Sequence, residues 1–257
     1  MGKVIAIANQ KGGVGKTTTA VNLSSCLAYK GKKVLLLDID PQGNTTSGLG
    51  IDKKNVEKSI YDVIINDEDI EKCILPTVVE NLDICPSNIQ LAGAEVELVS
   101  FISRETRVKD ALDEVKDNYD FVIIDCPPSL GLLTVNSLTA SDTVLVPIQC
   151  EYYALEGLSQ LMDTVKIVKK HLNKKLDVEG VVLTMFDART NLSIQVVEEV
   201  KKYFKNKVYR TIIPRNVRLS EAPSYGLPII LYDPKSKGAE CYIELAEEVI
   251  ECTEEVS

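Results

Sequence analysis

The sequence contains no tryptophan, four phenylalanines and a single histidine, His171. One histidine is a poor basis for a transition-metal site, and the seven cysteines, at 26, 73, 85, 126, 150, 241 and 252, are odd in number with no CxxC pair. A disulfide framework or zinc site is therefore not expected; with no export signal, the thiols read as buried residues of a cytosolic chain. Long hydrophobic runs are also missing: a stretch such as VIAIA at 4–8 falls far short of the roughly 18 residues needed to cross a bilayer. Gly2 does not open a myristoylation motif, because residue 6 is alanine where serine or threonine is required. Basic residues are outnumbered, 29 Lys and Arg against 38 Asp and Glu, and the net charge of −9 argues against coating nucleic acid by bulk charge.

What is present is an ordinary globular composition, 45% hydrophobic and 26% charged over 257 residues, long enough to bury a sizeable core. Short β-branched runs recur at 4–8, 34–37, 82–85, 121–124, 143–148, 180–185 and 208–213. Helical periods lie between most of them. Leu155, Leu158, Met162, Val165, Val168 and Leu172 repeat at three and four residues, as do Leu192, Val196, Val200 and Phe204. A helix from about Thr17 to Lys30 stops at Gly31, and a last one from about Ala239 carries Leu245 and Val249 on one face. Alternating β and α elements of this kind imply an α/β fold, a doubly wound and mostly parallel sheet flanked by helices. With no internal repeat or linker, residues 1–257 are expected to form one domain.

The most informative segment is KGGVGKTT, Lys11 to Thr18, directly after the first strand and opening the first helix. In that context successive backbone N–H groups and a helix N-terminus can enclose phosphate oxygens. Gly12, Gly13 and Gly15 let the backbone of Val14 and its neighbours approach an anion. Lys16 is placed to reach the β- and γ-phosphates, and the hydroxyl of Thr17, next to Thr18, to take a place on Mg²⁺. The general P-loop has glycine at the position of Gln10; here a second lysine, Lys11, stands beside the double glycine instead. FVIIDCPPS at 121–129 brings Asp125 to the end of a strand, the Walker-B position, from which it can converge with the P-loop on one Mg²⁺. Hydrophobic-run-then-Asp alone often marks only a strand end; the P-loop gives it meaning. VLLLDIDPQGN at 34–44 ends a second strand in the acidic residues Asp38 and Asp40, which are expected to have different roles. Asp-Pro-Gln-Gly-Asn is also good turn chemistry.

KGGxGKT[ST] is the deviant Walker A form of the P-loop, and this segment resembles that of the ParA, MinD and nitrogenase iron-protein group of P-loop NTPases. The resemblance runs from KVIAIANQKGGVGKTTTAVNL to SKGAECYIELAEEV and is closest to chromosomal ParA proteins of the Soj type, notably at 183–193 and 210–229. It implies an ATPase using ATP and Mg²⁺, with Lys11 crossing a dimer interface to the partner's nucleotide. It further implies that Asp40 positions the attacking water, that Asp38 supports the metal region, and that Pro214 and Asn216 contact adenine. An ordinary Asp is a poor base near neutrality, so Asp40 is a water-orienting group. The implied function is an ATP-dependent DNA-partitioning switch in chromosome segregation and in sporulation or replication control. It forms a homodimer on ATP binding, engages non-specific DNA, and is released by hydrolysis that a ParB-like centromere-binding protein stimulates. The expected location is cytoplasmic and nucleoid-associated.

The alternative is a MinD-like, membrane-cycling ATPase that regulates division-site placement. Its membrane helix would be rich in Lys and Arg. From residue 239 onward this sequence has neither, so no membrane partner is expected. A nitrogenase-like cluster protein needs a cysteine shortly beyond Asp125, and 129–136 has none; Cys126 reads as a buried thiol. The larger plasmid ParA type carries a helix-turn-helix before the P-loop, for which a first strand starting near residue 3 leaves no room.

Charge is unevenly spread. Residues 166–218 hold 13 Lys and Arg against 5 Asp and Glu, a balance of +8, flanked by −10 over 1–165 and −7 over 219–257. Arg189 and Arg218, within the two Soj-like segments, and Lys201, Lys202 and Lys205 are the candidate DNA contacts. Glu198 and Glu199 lie three residues before Lys201 and Lys202, a spacing that equally suits intrahelical pairs.

Overall fold

The computed structural model describes residues 2–151 and 156–254; Leu155, counted above in a helical period, lies outside them. The β-branched runs form β1 (Lys3–Ile7), β2 (Val34–Asp38), β4 (Leu82–Cys85), β5 (Phe121–Asp125), β6 (Thr143–Gln149), β7 (Asp177–Phe186) and β8 (Val208–Pro214), joined by a two-residue β3 (Leu75–Pro76). Their order in the single sheet is β3-β4-β2-β5-β1-β6-β7-β8. The β3–β4 pairing is antiparallel and the others are parallel. All the long strands thus end at one edge, where an open α/β sheet places its ligand crevice.

Side-chain alternation separates two cores. Val4, Ala6 and Ala8 of the first strand segment join Leu35, Leu37, Val122 and Ile124 in one. Ile5 and Ile7 join Leu36, Phe121 and Ile123 in the other. Strands buried on both faces read as continuous hydrophobic runs, which is why these segments were visible in the sequence.

The second face is covered by α1 (Lys16–Tyr29) and α11 (Lys237–Glu254). Tyr242, fully enclosed between them, shares a hydrogen bond of 3.2 Å with Thr19 Oγ1. Burying a side chain of that size contributes about 2–3 kcal/mol. The first helix ends as its Gly31 suggests, with φ of +81° and its N–H on the Ala28 carbonyl at 2.8 Å. The opposite face carries α3 (Ile60–Asn66), α4 (Leu91–Glu97), α5 (Arg107–Val115), α6 (Leu132–Ala140), α7 (Glu156–His171) and α8 (Asn191–Phe204). Short helices α2 (Asn44–Gly48), α9 (Val217–Glu221) and α10 (Ile229–Tyr232) follow β2 and β8.

Two sequence expectations are corrected. Six cysteines are buried, but Cys252 is exposed; it lies near the end of α11, past the Leu245, Ala246 and Val249 stripe that packs inward. β2 stops at Asp38, so the strand does not run on to Asp40, and the two carboxylates are placed by a strand end and by the loop after it. Among the described residues no helix is long and apolar enough to cross a membrane.

Candidate nucleotide and metal site

The loop between β1 and α1 is built from both ends. The amide Nδ2 of buried Asn9 donates to the Pro147 carbonyl at 2.7 Å, while its Oδ1 accepts the Lys11 N–H at 3.0 Å, tying the loop's first residue to β6. Gly13 and Gly15 take φ of +73° and +90°, which a side chain would strain. The Thr184 hydroxyl donates to the Val14 carbonyl at 2.8 Å, so β7 holds the middle of the loop. Asn22, nearly two turns into α1, donates to the Thr18 carbonyl at 2.8 Å and accepts the Ile229 N–H at 2.7 Å.

Lys16 is buried and its ammonium curls back onto the Lys11 carbonyl at 3.1 Å. Burial lowers its pKa, opposed chiefly by the negative charge of Asp125. An anion in the loop would supply the opposite charge that the buried ammonium needs to stay protonated. Lys11 and Gly12 lie at the rim, and among the described residues no hydrogen bond or ion pair holds the Lys11 ammonium.

Asp38 and Asp125 are the last residues of β2 and β5 and stand opposite each other in register. Both are completely buried. Asp38 Oδ2 accepts the Thr46 N–H at 2.8 Å and the Thr46 hydroxyl at 2.7 Å. Asp125 Oδ2 accepts two hydroxyls, Thr17 at 2.9 Å and Thr45 at 2.6 Å, whereas its Oδ1 is buried with no partner. Desolvation raises both carboxyl pKa values, and each is raised further by a neighbouring carboxylate, Asp125 for Asp38 and Asp40 for Asp125. A buried carboxylate oxygen without a hydrogen-bond partner, among carboxylates that resist ionising together, calls for a cation. Oxygen donors of this kind suit a hard ion such as Mg²⁺.

Asp40 sits just outside this pair, with Oδ1 accepting the Gln42 N–H at 2.9 Å and its carbonyl accepting the Ser87 hydroxyl at 2.8 Å. On the other side of the P-loop, a cavity of about 480 Å³ is lined by Gly15, Thr18, Met185, Pro214, Asn216 and Tyr242. Asn216 caps α9, its Oδ1 accepting the Arg218 N–H at 2.8 Å, which leaves its NH₂ as the group free to face a ligand.

The five basic candidates do not converge. Arg189 and Arg218 follow the carboxyl ends of β7 and β8, at the nucleotide end of the sheet. Lys201 and Lys202 occupy the last turn of α8 and Lys205 the residue beyond Phe204, roughly 15–20 Å away along the helix, at the opposite end. Arg189 grips Asp187 with Nε at 2.9 Å and Nη2 at 2.7 Å. Arg218 pairs with Glu221 at 2.9 Å and Asp233 at 3.4 Å. Lys202 pairs with Glu199 at 2.6 Å, the intrahelical spacing noted in the sequence. Lys201 and Lys205 make no ion pair among the described residues.

A glycine-rich loop, a buried lysine, a hydroxyl and a carboxylate at the switch point of a parallel sheet define a P-loop nucleotide hydrolase. A family model described as an AAA domain matches residues 2–178. The sporulation initiation inhibitor protein Soj of Bacillus subtilis is 71% identical over 249 residues, covering 97% of this chain and 98% of that protein. The chromosome partitioning protein ParA of Myxococcus xanthus is 56% identical, covering 97% and 88%. A structure of cobyrinic acid a,c-diamide synthase from Mycobacterium smegmatis with bound ADP and magnesium superposes with a TM-score of 0.89 at 37% identity, covering 100% and 97%. The chain belongs to the Soj/ParA family of deviant Walker A partitioning ATPases, and it is an ATPase that uses ATP and Mg²⁺.

Thr45, Thr46, Ser87, Thr184, Asn9 and Asn22 were not singled out in the sequence. No spacing pattern points to them, because most of their partners are tens to hundreds of residues away.

Proposed function

We propose that the protein, as one domain over residues 1–257, is an ATP-driven switch for DNA partitioning. Two protomers close face to face on ATP, and the dimer holds non-specific DNA until hydrolysis separates it. The observation that carries this reading is Lys11. Its backbone is fixed on both sides, N–H to Asn9 and carbonyl to Lys16, while its ammonium at the rim has no acceptor within the described residues. A rigidly mounted, unpaired cation beside a phosphate loop suits a charge that acts on the facing protomer's nucleotide, as an arginine finger does elsewhere.

In this scheme the loop amides of Lys11 to Thr18 and the Lys16 ammonium bind the phosphates, and Pro214 and Asn216 border the base. Mg²⁺, held by Thr17 with Asp125 and Asp38 behind it, supplies charge neutralisation at the phosphates. Asp40 orients the attacking water. Arg189 and Arg218 lie at the nucleotide end, where closure of two protomers brings four arginines together. A ParB-like protein bound at centromere sites is the stimulator, and the working location is the nucleoid in the cytoplasm. Chromosome segregation, with effects on sporulation or replication, is the biological role.

The test is subunit mixing. Lys11→Ala and Asp40→Ala proteins are each expected to be inactive in ATP turnover with DNA and a ParB-type partner present. Mixed together they regain activity if Lys11 serves the partner's site, since one of the two sites then has both groups. An inactive mixture in which the two variants demonstrably associate would rule out the crossing lysine.

A further inference from the structure

We infer that Thr45 is a positioning residue for the metal-side carboxylate Asp125, linking the Asp40 loop to the P-loop through one shared oxygen. The inference rests on the reading of Asp125 as the carboxylate behind Mg²⁺.

Asp125 is the terminal residue of β5 and is wholly buried, so its carboxylate orientation is set by its hydrogen bonds. Both of those bonds converge on Oδ2: Thr17 at 2.9 Å from the P-loop helix and Thr45 at 2.6 Å from α2. Oδ1 is left bare. An ionised carboxylate oxygen accepts two hydroxyl donors readily, and each such bond to a charged group is stronger than a neutral one. Two donors approaching one oxygen from different elements define the carboxylate plane, and that plane keeps Oδ1 turned to the site.

Thr17 cannot do this alone. The same hydroxyl oxygen must offer a lone pair to the metal while its hydrogen remains on Asp125. If Thr45 is removed, Thr17 becomes the only restraint on a buried carboxylate, which can then rotate and carry the Thr17 hydroxyl off its metal-facing rotamer. Thr45 therefore leaves Thr17 free to serve the ion.

The position of Thr45 adds a second consequence. It is fully buried in α2, five residues after Asp40. The next residue, Thr46, bonds Asp38 through both its N–H and its hydroxyl and accepts the Ser87 N–H at 3.0 Å. Adjacent threonines thus grip the two strand-terminal carboxylates, and the loop that carries Asp40 is anchored at its far end to both. Outer ligand partners of this kind typically alter metal affinity by 10- to 100-fold when removed.

The experiment titrates Mg²⁺ against a fluorescent ATP analogue bound to wild type, Thr45→Val, Thr45→Ala, Thr45→Ser and Asp125→Asn. The readout is the Mg²⁺ concentration for half-maximal binding, compared with binding in EDTA. Thr45→Val and Thr45→Ala should require roughly 10-fold more Mg²⁺ with binding in EDTA unchanged, and Thr45→Ser should match wild type. If valine misfolds in the tight site, the alanine and serine pair still isolates the hydroxyl, because serine lacks only the methyl group. A wild-type Mg²⁺ requirement for Thr45→Ala beside a shifted one for Asp125→Asn would overturn the inference. An unshifted Asp125→Asn would instead overturn the metal role of Asp125 on which it rests. Equal losses with Mg²⁺ and with EDTA would show a merely structural threonine and overturn it too.

Discussion

Asp38 and Asp125 face each other as the last paired residues of adjacent parallel strands, both with no solvent exposure. Two acids so far from water destabilise the fold unless a cation joins them. Their charged forms are less favourable folded than unfolded, so each folded pKa lies above the unfolded value. The unfolded chain ionises first as pH rises past about 4. Stability is therefore lost as pH climbs from there through the folded values towards neutrality, and regained as it falls.

Asp125→Asn should relieve this. The amide oxygen can still accept from Thr17 and Thr45, and its NH₂ replaces the bare oxygen in a site crowded with carboxylates. Without nucleotide, the variant should melt roughly 3–8 °C higher than wild type near neutral pH, the equivalent of about 2 kcal/mol in a chain of this size. Its melting temperature should also change less with pH in the acidic range. It should gain no stability from Mg²⁺ with ADP, whereas wild type should. A lower melting temperature together with an intact Mg²⁺ response would contradict the arrangement described.

The sheet and the P-loop were legible in the sequence because their signals are local. β1, β2 and β5 are buried on both faces, which forces uninterrupted apolar runs, and phosphate binding needs its glycines, lysine and hydroxyl within one loop. The supports of that loop were not legible, for the converse reason. The Thr45 to Asp125 bond spans 80 residues, Thr184 to Val14 spans 170, and Asn22 to Ile229 spans 207. Threonine and asparagine in a helix or strand look alike whether or not a distant backbone needs a partner. The short antiparallel β3 was equally silent, since two residues are too few to show a period. The basic stretch is divided by the fold: β7 and α8 run in opposite directions, so residues near in sequence are carried to opposite ends of the sheet.

Gly12 offers a clean test of close approach between protomers. Among the described residues a Cβ added there meets nothing within 4 Å, and its backbone is not in the left-handed region. Gly12→Val should therefore match wild type in melting temperature and far-ultraviolet circular dichroism. In sedimentation with ATP it should remain monomeric where wild type dimerises, because two added isopropyl groups meet across a tight face. A normal ATP-dependent dimer of the valine variant would remove the face-to-face contact at the P-loop.

The separation of Arg189 and Arg218 from Lys201, Lys202 and Lys205 makes the DNA surface divisible by experiment. Each arginine must exchange a carboxylate partner for a phosphate, Asp187 in one case and Glu221 with Asp233 in the other. Exposed pairs of this type are worth at most about 1 kcal/mol, so the exchange is cheap. Because the arginines stand at the nucleotide end, closure doubles their number there, and only the dimer offers four contacts together. Arg189→Glu with Arg218→Glu should abolish ATP-dependent DNA retention without changing ATP affinity. The milder Arg189→Ala with Arg218→Ala should flatten the dependence of log affinity on log salt by roughly 3 to 4, about 0.9 per phosphate contact. Lys201→Glu, Lys202→Glu and Lys205→Glu combined act at the far end, where closure at the P-loop face joins nothing, so the requirement for ATP should survive. If the lysine variant alone loses retention, the DNA path runs along the amino ends of the strands and the arginines are surface residues held by their carboxylate partners.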